Sequence, residues 1–211
     1  MKNIFVVTHA QATHHLDKIV GGWFDSSLTA HGQSQAIAIA KQLTQLVTAQ
    51  SPTIISSDLK RALQTADIIA QHFNTTSTAN PNLREISYGK AEGKPQAWLD
   101  AHWLPRPNDN RLDHRPIENA ETTRELAQRI YECTTQLFSD PDIDNLILIS
   151  HGYASTFIIA NWIGLPLDNA THVHFNLSTA SITHLQQDNH FKNHSVKSLN
   201  FTKHLRASET S

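Results

Sequence analysis

The sequence predicts an α/β fold: a three-layer α/β/α sandwich with a mainly parallel central sheet and a small cap insertion. Two observations lead to this prediction. Short apolar runs without polar alternation, such as residues 4–7, are typical of parallel strands that are buried on both faces. Strand and helix patterns then alternate three times with short connections, which favours a parallel sheet covered by helices on both faces.

Each element follows from its own residue pattern. The predicted strands are short apolar runs at residues 4–7, 53–55, 145–150, 173–175, 180–183 and 196–201. The predicted helices carry apolar residues at helical spacing and begin near Thr29, after residues 56–58 and near Ala120, with a fourth, almost wholly apolar helix over residues 153–163. Residues 186–189 are a turn signal between the last two strands.

The middle of the chain is less regular. Residues 94–118 contain four prolines, and we interpret this segment as a cap with little sheet. The predicted organisation is one α/β domain over residues 1–205, with the cap inserted at about 94–118. Residues 206–211 are polar and are predicted to form a flexible tail.

Composition limits the classes of function. The chain is 39% hydrophobic and 17% charged, with a formal net charge of -2, which argues against a strongly basic nucleic-acid surface. Its single cysteine, Cys133, forms no internal disulfide and is expected to be a buried thiol. No apolar run approaches the roughly 18–20 residues of a membrane-spanning helix. We therefore expect a cytoplasmic protein without nucleic-acid or membrane partners.

Three residues follow the ends of predicted strands. His9 comes just after the first strand, Arg61 lies close to the end of the second, and His151 follows the strand at residues 145–150. In open α/β sheets, ligands bind outside the carboxyl ends of the strands. The topology therefore predicts that these side chains meet at one rim of the sheet.

Those residue types suit phosphoryl transfer. A neutral imidazole is a good nucleophile towards phosphorus, and an arginine presents a planar fork of donors to phosphate oxygens. A second histidine, if protonated, can stabilise the equatorial oxygens. A carboxylic acid such as Glu85 can protonate the leaving oxygen and later deprotonate water.

Several segments resemble one known family. Residues 56–66 match the pattern Ser-Ser-x-Leu-x-Arg-Ala-x-x-Thr-Ala without a break, and residues 25–36 resemble Asp-x-x-Leu-Thr-x-x-Gly-x-x-Gln-Ala. Residues 83–93 resemble a proton-donor segment, and residues 150–152 match Ser-His-Gly. These motifs resemble the histidine phosphatase superfamily, in its phosphoglycerate-mutase-like branch, from residue 5 to residue 205.

The resemblance assigns expected roles. It implies that His9 is the phosphate-accepting nucleophile, that Arg61 and His151 hold the phosphoryl group, and that Glu85 is the proton donor. His15 lies where the family usually has a phosphate-binding asparagine, so it is expected to bind substrate. The implied partner is a phosphorylated small molecule, with no metal or other cofactor, and the sequence gives no indication of an oligomeric state.

The first motif departs from the family. This chain has Thr8-His9-Ala10 where the family has Arg-His-Gly, so Thr8, an expected substrate-binding residue, carries a neutral hydroxyl in place of a charge. Losing one preorganised donor commonly costs about 10²–10³ in rate. Either the activity is weak or another cation substitutes, the candidates being His14, His15, Lys18 and Arg84. Our hypothesis is that protonated His15, with His14, supplies the charge, which would favour mildly acidic pH.

The leading function is hydrolysis of a phosphomonoester through a phosphohistidine on His9. One alternative is a catalytically weak or inactive relative that binds a phosphorylated ligand or partner. A phosphoglycerate mutase-type phosphotransferase is a second, less favoured because the cap has few basic residues: Arg106, Arg111 and Arg115. A third is a metal-binding protein that uses the His14-His15 pair.

Overall fold

The computed structural model describes residues 1–47 and 51–206. A six-stranded sheet of order β3-β2-β4-β1-β5-β6 forms its centre. The strands are β1 (Lys2–Thr8), β2 (Thr53–Ser56), β3 (Thr78–Ala79), β4 (Asn145–Ser150), β5 (Ile182–Gln187) and β6 (His194–Phe201). The pairs among the first four are parallel, whereas β5 and β6 add an antiparallel edge. The predicted mainly parallel sheet is confirmed.

Helices cover both faces of this sheet. They are α1 (Thr13–Asp17), α2 (Ala30–Leu46), α3 (Lys60–His72), α4 (Gln96–His102), α5 (Thr123–Ser139), α6 (Gly152–Trp162) and α7 (Lys203–Arg206). Successive side chains of a strand point to opposite faces. Phe5 and Val7 therefore pack with α2 and α3, and Ile4 and Val6 pack with α5 and α6. The predicted three-layer α/β/α architecture is confirmed.

Local capping sets where two of the helices begin. The Thr29 hydroxyl accepts a hydrogen bond from the Gly32 amide, so α2 begins where the sequence predicts. The helix expected from Ala120 begins at Thr123 instead, because Thr122 and Glu125 form a reciprocal capping box.

Two strand predictions differ from the structure, and one short strand was not predicted. Residues 173–175 form no strand, because the Val173 amide closes a 3₁₀ turn on Ala170 and the Phe175 amide bonds the Thr156 hydroxyl of α6. Strand β5 begins at Ile182 rather than residue 180, since Ala180 has a left-handed φ of 61°. The two-residue strand β3 was not predicted, being too short for a periodic signal.

The segment predicted as a cap contains α4 and otherwise irregular backbone. Backbone hydrogen bonds connect the start of this segment to the loop after β1. The Val20 amide donates to the Lys94 carbonyl, the Gly93 amide to the Val20 carbonyl, and the Gln96 amide to the Lys18 carbonyl. Its boundaries stay a prediction. Of the predicted tail, Arg206 belongs to α7, and residues 207–211 lie outside the described residues. No helix in the described part of the chain has the length and apolar character to cross a bilayer.

Candidate active site

One pocket of about 520 Å³ lies at the carboxyl ends of β1, β2 and β4. All six residues that the sequence proposed for the site line it: Thr8, His9, His15, Arg61, Glu85 and His151. Strands β1 and β4 are in register there, with Thr8 opposite Ser150. His9 and His151 therefore leave neighbouring strands at the same level, and their ring centroids lie 4.9 Å apart.

The contacts of His9 fix its tautomer. Its Nδ1 lies 2.8 Å from the Ala10 carbonyl, which can only accept, so Nδ1 carries the hydrogen. Its Nε2 accepts a hydrogen bond from Arg61 Nε at 3.2 Å and therefore holds a lone pair. Burial, and then the Arg61 charge, hold the pKa of His9 well below its usual range. The neutral ring thus lines the pocket with a lone pair on Nε2, which is what a nucleophile requires.

Arg61 is a buried cation that forms no ion pair with any carboxylate of the described residues. The side chain is 1% exposed and lies in the first turn of α3. Its two terminal nitrogens donate to the carbonyls of Gly22 (2.6 Å) and Phe24 (2.8 Å), which fix the guanidinium plane. Burial lowers the pKa of Arg61 to about 10, so it remains charged at neutral pH. A phosphate is the kind of anion that this uncompensated charge attracts.

His151 keeps one nitrogen for the pocket. Its Nε2 lies 2.8 Å from the Ser57 hydroxyl, which also accepts from the Leu59 amide at 3.3 Å. With the hydroxyl donating to Nε2, the hydrogen of the neutral ring sits on Nδ1. That buried nitrogen has no hydrogen-bond partner in the part of the chain that is described. Burial and the Arg61 charge lower the pKa of His151 well below its usual range, so His151 is a neutral donor.

Glu85 meets the N-terminus of α6. One carboxylate oxygen accepts from the amides of Ile86 (2.9 Å) and Ala154 (3.0 Å), and the other accepts from Tyr153 (3.0 Å). Burial raises the pKa of Glu85, and it outweighs the opposing effect of these three amides and of Arg61. The carboxyl group therefore keeps its proton to a higher pH than an exposed glutamate.

The two adjacent histidines differ in environment. His15 stacks on His9 at 5.6 Å between ring centroids, and its Nδ1 accepts from the Ala12 amide, which leaves an N–H on Nε2. His14 turns to the Ser26 hydroxyl at 2.7 Å, and burial lowers its pKa to about 3. Burial and Arg61 also lower the pKa of His15. Both shifts disfavour the hypothesis that a protonated pair replaces the missing arginine.

Comparison with known proteins identifies the family. The family model of the histidine phosphatase superfamily (branch 1) matches residues 4–201. The chain belongs to the histidine phosphatase superfamily. A probable phosphoglycerate mutase, GpmB, of Proteus mirabilis is 32% identical over 169 residues, which are 79% of this chain and 77% of that protein. A putative phosphoserine phosphatase of Hydrogenobacter thermophilus is 29% identical over 196 residues, covering 89% and 91%.

Solved structures have the same fold. An alpha-ribazole phosphatase from Shigella flexneri superposes with a TM-score of 0.79 at 22% identity, covering 94% of this chain and 96% of that one. A mycobacterial glucosyl-3-phosphoglycerate phosphatase, in complex with VO₃, gives 0.77 at 23% identity, covering 96% and 100%.

Thr8, the residue before His9, bonds the loop that leads into β5. Thr8 is 2% exposed, and its hydroxyl donates to the Ser178 carbonyl at 2.5 Å and accepts from the Ser181 amide at 2.9 Å. The hydroxyl thus fastens the loop before β5, from which Leu177 and Thr179 line the pocket. A direct contact between Thr8 and the substrate stays a prediction. To donate to a phosphoryl oxygen, the Thr8 hydroxyl would have to give up its hydrogen bond to the Ser178 carbonyl.

Other pocket residues were missed or misjudged from sequence. Leu177 and Thr179 arrive from the antiparallel edge, where no strand-end motif points to the site. Arg84, a candidate replacement cation, is held by both oxygens of Asp58 at 2.6 Å, whereas Lys18 lines the pocket. Within residues 1–47 and 51–206, no group of three or more His, Cys, Asp or Glu side chains is arranged to hold a metal.

The Thr8 contacts predict a stability effect. Thr8→Val should lower the free energy of unfolding by about 0.5–1.5 kcal/mol, because it removes the hydroxyl's bonds to the Ser178 carbonyl and the Ser181 amide and leaves these two groups only their bond to each other, at 3.2 Å. Urea denaturation measures this change. Thr8→Ser keeps the hydroxyl and should remain close to wild type. Equal stability of the Val and Ser variants would show that the hydroxyl does not fasten the loop.

Proposed function

We propose that the protein hydrolyses a phosphomonoester of a small molecule through a phosphohistidine on His9. The observation that carries the proposal is one arrangement: the lone pair of His9 Nε2 beside the buried Arg61 charge and the unpartnered His151 Nδ1. A nucleophile, a fixed cation and a free donor converge where a phosphoryl group would lie. The proposed reaction needs no metal or cofactor.

A cytoplasmic location of the protein remains a prediction.

In the first step, His9 Nε2 attacks phosphorus and the bond to the leaving oxygen breaks. Glu85, protonated, gives its proton to that oxygen. Arg61, His151 Nδ1–H and His15 Nε2–H donate to the phosphoryl oxygens. In the second step, Glu85 takes a proton from water, the water oxygen bonds to phosphorus and the P–N bond breaks. Phosphate leaves, and His9 and Glu85 return to their starting protonation.

Similar proteins support a phosphorylated small molecule as substrate, since the relatives and the solved structures are named as phosphatases or as a mutase. The mutase alternative rests on the Proteus mirabilis relative. Arg115, one of the three cap arginines, pairs with Glu125, so the cap offers fewer free cations than the sequence suggested. The alternative of a binding protein without activity rests on Thr8.

Removal of the nucleophile tests the proposal. His9→Ala should reduce turnover of an aryl phosphate by at least about 10³-fold, because it removes the Nε2 lone pair that attacks phosphorus in the proposed reaction. Alkaline quenching of the wild-type reaction, followed by mass spectrometry, should find a phosphoryl adduct on the peptide that carries His9. His31→Ala, at an exposed histidine of α2, is the control and should retain full activity. Wild-type protein that binds phosphate without turnover would favour the inactive relative.

The raised pKa of Glu85 predicts a dependence on pH and leaving group. The protonated form is the donor, so kcat/KM for an alkyl phosphate should fall as pH rises through a value above the ordinary glutamate range. Glu85→Gln should lower kcat for that substrate by about 10²–10⁴.

An aryl phosphate with a weakly basic leaving group should separate the two steps in Glu85→Gln. The first turnover should persist as a burst, and the phosphohistidine should accumulate because water is no longer deprotonated. Glu118→Gln, at an exposed glutamate paired with Lys90, should behave as wild type. If Glu85→Gln showed no burst and lost the same factor in kcat on the alkyl and the aryl phosphate, Glu85 would not be the group that transfers the proton.

Lys18 is our proposed replacement for the missing cation. It is exposed at the end of α1 and lines the pocket, and its amine has no ion pair or hydrogen bond with any described residue. It is held in the left-handed region at a φ of 52°, while its carbonyl accepts from Gln96. His14 and His15 are pushed towards neutrality and Arg84 is paired, which leaves Lys18 as the available charge among the four candidates.

A charge at the exposed mouth should contribute modestly. Lys18→Met should raise the Ki of inorganic phosphate about two- to fivefold at low ionic strength, and the difference should shrink as salt is added. Competitive inhibition of aryl phosphate turnover measures it. Lys41→Met on α2 is the control. An unchanged Ki at low salt would mean that Arg61 is the sole cation acting on the phosphoryl group.

A further inference from the structure

The pocket at the strand ends holds one buried arginine and one exposed lysine. Among the described residues that line it, Arg61 and Lys18 are the basic residues other than histidine, and Arg61 is 1% exposed whereas Lys18 is exposed at the mouth. Water and salt screen an exposed charge, so Lys18 acts on a ligand only weakly. The Arg129 charge also acts on His151, but Arg129 pairs with Glu121 at 2.8 Å. A phosphoryl group therefore meets the charge of one buried guanidinium.

The four histidines of the lining supply hydrogen-bond donors rather than charge. His9 Nε2 accepts from Arg61 and His15 Nδ1 accepts from a backbone amide, so each ring holds a lone pair and is neutral. The ring centroids of His14 and His15 lie 4.0 Å apart, and those of His9 and His151 lie 4.9 Å apart. A proton added to one ring would repel Arg61 and any charge on the neighbouring ring.

Acidic side chains offset part of the Arg61 charge. Glu85 lines the pocket, and it is neutral while it holds its proton and negative once it loses it. Asp25 and Glu92 lie outside the lining and favour the charged form of Arg61 from a distance. Tyr88, a further titratable residue of the lining, stays neutral because burial raises its pKa. The buried positive charge of the pocket is therefore at most that of one guanidinium.

Thr8 adds neither a charge nor a free hydrogen. Its hydroxyl donates to the Ser178 carbonyl at 2.5 Å and accepts from the Ser181 amide at 2.9 Å. The donors next to His9 are therefore the Arg61 guanidinium and the neutral N–H groups of His15 and His151.

We propose that this pocket selects the phosphoryl group as a monoanion, the form in which a phosphomonoester still carries one proton. The proposal rests on the proposed function. One guanidinium balances one negative charge, whereas the second charge of a dianion would be taken from water without a counter-charge. Neutral N–H groups can bond the phosphoryl oxygens without adding charge, and the phosphoryl hydroxyl can face water at the mouth. A phosphomonoester loses its second proton at a pKa of about 6, so binding should weaken as the pH rises beyond this value.

Phosphorus NMR of a bound analogue measures the charge of the ligand directly. Phenylphosphonate, which cannot be hydrolysed, should keep the resonance of its monoanion when bound to wild type, up to about one to two pH units beyond the point at which the free ligand becomes a dianion. The monomethyl ester of phenylphosphonate is a monoanion throughout this range and is the matched control, which should show no titration. A bound resonance that moves to the dianion position at or below the pH of the free ligand would overturn the proposal.

Calorimetry should detect the same proton in the affinity. The Kd of phenylphosphonate should rise about tenfold per pH unit above its second pKa, because the monoanion becomes scarce, whereas the Kd of the methyl ester should stay within about twofold. A parallel rise for both ligands would mean that a group of the protein titrates, and no rise for phenylphosphonate would mean that the dianion binds equally well. Either result would overturn the proposal, as would binding of neither ligand.

Two variants determine whether the proton belongs to the ligand or to the protein. Glu85→Gln and His15→Gln each remove a titratable group of the lining that could hold the proton in place of the ligand, and both should keep the tenfold rise in Kd per pH unit. The matched controls are Glu118→Gln and His72→Gln, at exposed residues outside the pocket, which should behave as wild type. A rise that disappears in Glu85→Gln or His15→Gln alone would assign the proton to that residue and overturn the proposal.

These measurements need no turnover, so the inference and the proposed reaction can fail separately. Protein that binds the monoanion selectively but hydrolyses no phosphomonoester would support the inference and contradict the reaction. Protein that forms a phosphohistidine on His9 but binds phenylphosphonate as a dianion would support the reaction and overturn the inference.

Discussion

The register between β1 and β4 determines the rest of the site. Neighbouring strands in a sheet lie about 4.8 Å apart, and the rings of His9 and His151 are 4.9 Å apart. Thr8 pairs with Ser150, so both histidines leave the sheet at one level. Because both strands are buried on both faces, a shift by one residue would turn apolar side chains to the wrong layer. Core packing thereby holds the two rings together.

Burial then sets the protonation of the site. Removing water disfavours charge, which lowers the pKa values of His9 and His151 and raises that of Glu85. The proposed nucleophile, His9, needs a lone pair, and the proposed acid, Glu85, needs its proton. Burial favours both of these protonation states. Arg61 is buried as well, but two carbonyls accept from it and its pKa stays far above neutral. It is therefore the fixed positive charge of a largely neutral pocket.

The sequence predicted what depends on strand ends and periodicity. The apolar runs of β1, β2 and β4 place His9, Arg61 and His151 after strand ends, and Thr29 marks the start of α2. Prediction from sequence failed where a residue's structure depends on partners distant in the chain. The Phe175 amide bonds the Thr156 hydroxyl of α6 rather than a neighbouring strand, Arg84 forms an ion pair with Asp58, and burial keeps His14 neutral. It also missed Leu177 and Thr179, because a loop held by Thr8 brings them to the pocket.

The Thr8 hydroxyl bears on the energetics of the proposed reaction. The resemblance to the family implies an arginine at this position, and one such preorganised donor would supply about 3–4 kcal/mol to the transition state. Here the hydroxyl donates to the Ser178 carbonyl and so holds the loop before β5. In the proposed reaction, stabilisation of the phosphoryl oxygens therefore falls to Arg61, which stays charged, and to the neutral donors His151 and His15. A site that depends in this way on one buried cation would be slow on simple phosphate esters.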